Sequence, residues 1–120
     1  MGMAAEAWDG ERVRIWLDSR IAAARLDQAA ADRRGYAAYD DYDKAAAEEW
    51  VCRALIAAGR FGDRAAFAAQ LKELLAQGDY RIAGINEAMR VDRHIRATVR
   101  KITRMAKAND GFANTLRYQD

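Results

Sequence analysis

The sequence predicts an all-α protein: a compact bundle of four or five helices in a single domain over residues 1–120, with a short polar end at 109–120. Three observations carry that expectation. The 120 residues contain no Pro, 28 of them are Ala, and the larger apolar side chains recur at intervals of three and four rather than alternating. Val, Ile, Leu and Phe together number only 21. The expected core is therefore thin, and a second copy of the chain is one route to added stability.

Asp9 is the expected N-cap of a first helix that runs to about Arg33 and gathers Val13, Trp16, Leu17, Ile21 and Ala24 on one face. Arg34-Gly35 should end it, because Gly accepts the left-handed backbone that closes a helix. Tyr36 to Asp43 reads as a turn dense in Tyr and Asp. Asp40, Asp41 and Asp43 suit the positive end of a second helix, which carries Trp50, Val51, Ala54, Leu55 and Ala58 and stops at Gly59. Asp63 should cap a third helix built on Phe67, Leu71, Leu74 and Leu75 and ended by Gly78.

Residues 80–107 admit two parsings. Ile82, Ile85, Met89, Ile95, Val99 and Ile102 roughly keep one helical period, which allows a single long helix. Alternatively, a short helix at about 82–89 is followed by a turn, with Asp92 capping a basic helix over 93–107. That second parsing makes the C-terminal half helix-turn-helix-like. Two features fit it poorly: Arg90 stands where the turn usually holds Gly, and the stripe Ile95, Val99, Ile102 is offset from the usual recognition-helix pattern.

Charge supplies the functional lead. Residues 1–50 hold 7 basic and 11 acidic side chains, a net of −4, whereas residues 51–120 hold 13 and 7, a net of +6. Between Arg90 and Lys107 seven cations face a single acid, Asp92. Helical spacing places Arg93, Arg96, Arg100, Arg104 and Lys107 on one face of an amphipathic helix, which suits an anionic partner. The leading expectation is a nucleic-acid-binding protein. In the helix-turn-helix arrangement Arg93, His94, Arg96 and Arg100 face the bases with Ala97, and Lys101, Arg104 and Lys107 hold the backbone. The alternative is a protein–protein interaction module, such as an adaptor, an antitoxin-like partner or an inhibitor from a bacterial or phage mobile element. Its surface would be the acidic-aromatic cluster Tyr36, Tyr39, Asp40, Asp41, Tyr42 and Asp43.

Other chemistry finds little material. Asp41-Tyr42-Asp43 opens like a calcium loop, but Ala46 stands at its sixth position and Cys52 at its twelfth, so no EF-hand is expected. One Cys and one His are too few for a zinc site. Cys52 shares a helix with Val51 and Leu55 and reads as a packed thiol, Ser19 is the sole Ser, and the Gly59–Gly62 turn lacks the Gly-Lys-Ser/Thr of a phosphate loop. Glu48 and Glu49 point about 100° apart on a helix and would not converge on a substrate. No catalytic residue, metal or cofactor is therefore expected. The N-terminal residues lack the cationic and apolar regions of a signal peptide, and no apolar run is long enough to span a membrane, which together predict a cytoplasmic protein without a membrane partner.

Overall fold

The computed structural model describes residues 7–76 and 88–112, and every regular element among them is helical. The first helix, α1 (Gly10–Arg34), begins where Asp9 accepts hydrogen bonds from the backbone N–H groups of Glu11 (3.0 Å) and Arg12 (3.3 Å). It ends at Gly35, whose φ of 74° lies in the region that favours glycine. Val13, Trp16, Leu17, Ala24 and Ala31 are buried along it, and Ile21 is half-buried.

A single 3-10 turn (Gly35–Ala38) reverses the chain into α2 (Tyr39–Ala58), so α1 and α2 form an antiparallel hairpin with the most extensive helix contact in the molecule. The expected Tyr36–Asp43 turn is thus shorter than its composition suggests: Tyr39 to Asp43 are already helical, with Asp40 and Asp41 in the first turn. Asp43 points inward and is buried. Ala45, Ala47, Val51, Cys52 and Leu55 form the buried side of α2, and Gly59 closes it in the left-handed conformation (φ 66°) while donating its N–H to Ile56 O at 3.0 Å.

The tight link that follows packs against the start of α1. A Cβ added to Gly10 would lie 2.6 Å from Gly62 Cα and 2.9 Å from Phe61 O. Trp8 donates its indole N–H to that same Phe61 carbonyl at 2.9 Å. Gly10 is therefore required by a backbone-to-backbone approach, not by its own dihedral angles. Asp63 then caps α3 (Arg64–Ala76) by accepting from Ala66 N–H at 3.1 Å, and Phe67, Leu71 and Leu74 are buried.

The last helix, α4 (Ala88–Ala108), packs on α2 and on α3. Val91, Ile95, Val99, Ile102 and Ala106 form its buried stripe. Asp92 lies inside the helix, not at its start, which removes the break between Arg90 and Arg93 that a helix-turn-helix requires. Its carboxylate instead accepts from Arg96 Nε one turn on, at 3.0 Å. The short helix expected at 82–89 and the stop at Gly78 lie mostly outside the described residues.

α4 ends in a Schellman-type closure: Asn109 N–H bonds Ala106 O at 3.2 Å and Asp110 N–H bonds Met105 O at 3.0 Å, with Asn109 at φ 51°. Arg64 of α3 reaches over to donate to the carbonyls of Ala106 and Lys107. The chain then turns Phe112 into the core. Its ring stands nearly perpendicular to those of Trp16 (5.4 Å) and Trp8 (5.6 Å) and lies 6.4 Å from Phe67. The stretch read as a polar end thus contributes a central aromatic at 112. Together these helices make a compact all-α bundle, closed at one end by α1, α3 and the residues after α4.

Candidate nucleic-acid interface

The buried stripe of α4 fixes where its cations point. Val91, Ile95, Val99 and Ile102 face α2 and α3, so at about 100° per residue Arg93, Arg96, Arg100, Arg104 and Lys107 fall within one outward sector. The structure brings the expected residues onto a single helix, and then divides them.

The first half is occupied internally. Arg93 and His94 both converge on Asp40 in the first turn of α2, His94 with its ring nitrogen 3.0 Å from Oδ1. His94 is mostly covered there. The hydrogen bonds from His94 and then Arg93 hold the Asp40 carboxyl below its usual value of 3.8. Arg96 is half-buried and bonded to Asp92, whose Oδ1 is buried with no hydrogen-bond partner. Three of the four side chains assigned to the bases are therefore paired with acids in this arrangement, Arg93 through an exposed contact and His94 and Arg96 through more covered ones.

The second half is different. Arg100, Lys101, Arg104 and Lys107 are all exposed, and none has an acidic partner within 4.0 Å among the described residues. They span two turns, about 10 Å along the axis. Lys101 and Arg104 also stand at the rim of a recess between α1 and the end of α4, lined by Trp16, Arg20, Met105 and Gly111. Arg20 is held at that rim by a bidentate pair with Glu48, at 2.7 and 3.1 Å, with both side chains largely covered. The acid excess of the N-terminal half was the available signal that part of the basic helix would be neutralised, but the identity of the neutralised residues depends on the α2–α4 packing.

The acidic-aromatic cluster separates in the same way. Asp41 pairs with Arg34 at 3.0 Å, Asp40 with Arg93 and His94, and Asp43 is buried. Asp43 is accordingly removed from the candidate partner surface. The tyrosines remain outside: Tyr36 is 89% exposed and lies 5.9 Å from the ring of Tyr39, and Tyr42 completes a shallow pocket with them.

Cys52 is buried in the core, and burial first, with the charge of Glu48 second, pushes its thiol up to about 12. A thiol in that state does not supply a nucleophile. Among the described residues no three His, Cys, Asp or Glu side chains are placed to hold a metal ion, and no helix is long and apolar enough to cross a membrane. No protein-family model, curated protein or solved structure matches this chain.

Proposed function

We propose that this protein acts by binding and that its ligand is the phosphate backbone of a nucleic acid, held by Arg100, Lys101, Arg104 and Lys107. The observation that supports the reading is that these four exposed cations have no acidic partner among the described residues, while their neighbours one or two turns earlier are paired. Unpaired guanidinium and ammonium groups keep their full hydrogen-bonding capacity for phosphate oxygens. With Arg93, His94 and Arg96 committed to carboxylates, the contact is one of charge and not of base sequence.

Binding to a labelled random-sequence duplex, followed by fluorescence anisotropy across salt concentrations, tests this directly. Four phosphate contacts should give a log–log salt slope of about −3.6, an affinity loss on the order of a hundredfold between about 50 and 200 mM salt. Absence of binding at low salt, or a slope near zero, rejects the proposal.

A second reading rests on the tyrosines. Three exposed Tyr rings on one end of the hairpin are an unusual expenditure of aromatic surface in a chain with few large apolar residues, and such rings are enriched at protein interfaces. On that reading Tyr36, Tyr39 and Tyr42 contact a protein partner, with Asp40 and Asp41 as polar rim. Its binding would be nearly insensitive to salt.

A further inference from the structure

α1 has a second apolar face, opposite its buried one. Leu26 is 72% exposed and Ile15 is 43% exposed, and a shallow groove runs between them past Asp18, Ser19, Ala22 and Ala23. The positions Ile15, Ser19, Ala22, Leu26, Ala29 and Arg33 alternate by four and three residues, the spacing of a coiled-coil seam. Nothing among the described residues covers this seam.

We propose that the seam is a homodimer interface, in which α1 pairs antiparallel with α1 of a second copy about a twofold axis between Ser19 and Ala22. Two features agree on one register. When Ile15 is set against Leu26 of the other copy, Ser19 necessarily falls against Ala22, and these small side chains at the crossing let the helix axes approach closely. In that same register the residues flanking the seam place Asp18 beside Arg25 of the other copy, twice by symmetry. At the outer ends the same register sets Glu11 opposite Asp32, so the complementary flanking charges are the central ones, Asp18 and Arg25.

The existing contacts leave these groups available. Asp18 has only a 3.9 Å contact with Arg14 on its own helix. Arg25 spends its Nε alone on Glu49, at 3.3 Å, while Glu49 is also served by Gln28 and Arg53 at 2.7 Å each. The terminal nitrogens of Arg25 are thus unspent. The central charges select a second copy as the occupant, because Asp18 and Arg25 flank the crossing at symmetric positions and each is the complement of the other.

Sedimentation equilibrium from about 1 to about 500 µM, with helicity followed by circular dichroism, tests the proposal. The wild-type chain should sediment as a reversible dimer. Leu26→Glu should be monomeric with unchanged helicity, since Leu26 is exposed in the folded chain. Asp18→Arg and Arg25→Asp should each weaken the dimer about tenfold or more, by setting like charges together at two symmetric points. The double variant carrying both changes should return to within a few-fold of wild type. A wild-type monomer throughout this range, a dimer indifferent to Leu26→Glu, or a double variant no better than its parents would each overturn it. The readout does not involve nucleic acid, so it stands or falls separately from the function proposed above.

Discussion

The two halves of α4 share composition, helix and exposure to the same side of the bundle, yet they are chemically unlike. Arg93, His94 and Arg96 are matched by Asp40 and Asp92. Arg100, Lys101, Arg104 and Lys107 are matched by nothing described. The difference follows from topology: the first half passes the acidic start of α2, whereas the second half borders a recess lined by Trp16, Arg20, Met105 and Asp110, where no carboxylate comes within ion-pair distance of these cations among the described residues. A run of cations in a sequence is therefore not one feature, and its unpaired part is the one that the proposed function rests on.

The largest expected effect comes from removing the unpaired part. Arg100→Ala with Arg104→Ala should lower the salt slope by about 2 units and weaken duplex binding some tenfold or more at low salt, measured by anisotropy. Arg93→Ala with Arg96→Ala should change the slope by far less. If the two pairs behave alike, the distinction between the halves fails.

Asp40→Asn should act in the opposite direction by weakening the hold on Arg93 and His94, raising duplex affinity a few-fold and steepening the slope by about one unit per cation released. Acid sharpens the same point. Because the Asp40 carboxyl lies below its ordinary value in the folded protein, its contribution to stability is complete above pH 3.8 and is lost as pH falls below that toward the lowered folded-state value. Thermal unfolding should register a loss in that window, smaller in Asp40→Asn than in the wild type.

Smaller effects should come from the supports. Arg64→Ala removes the donors that cover the carbonyls of Ala106 and Lys107, and about 1 kcal/mol of stability should go with them by urea denaturation. Gly10→Ala should cost about 1–3 kcal/mol, because its methyl group would meet Gly62 Cα and force the link away from α1. Neither substitution should alter the salt slope of the folded protein.

Local chemistry made much of this fold legible. Asp9, Gly35, Gly59 and Asp63 mark helix ends through hydrogen bonds and dihedral angles that depend on few neighbours, and each does so in the structure. Asp92 misleads because the same carboxylate that caps a helix can also pair with an Arg four residues on, and the apolar continuity of Val91, Ile95 and Val99 decides for the unbroken helix. Phe112 is illegible for another reason: a lone aromatic in a polar stretch has no period, and its burial depends on Trp8, Trp16 and Phe67 arriving from other elements. Asp43 hides among acids that stay at the surface. The candidate site is legible as a helix, but not as the two turns that remain unpaired.

The distribution of rings has a spectroscopic consequence. Trp8 and Trp16 report from the end of the bundle that Phe112 closes, whereas the rings of Tyr36 and Tyr39 meet at a tilt near the opposite end, at the turn of the hairpin. With Trp50 of α2 replaced by Phe, tryptophan emission reports the closed end alone, and backbone hydrogen exchange over Tyr36–Tyr42 reports the hairpin turn, two separate clocks on one molecule. If both trace the same midpoint in urea, the hairpin and the closed end melt as one cooperative unit. Two midpoints would mean that the tyrosine end opens while the tryptophan end still holds.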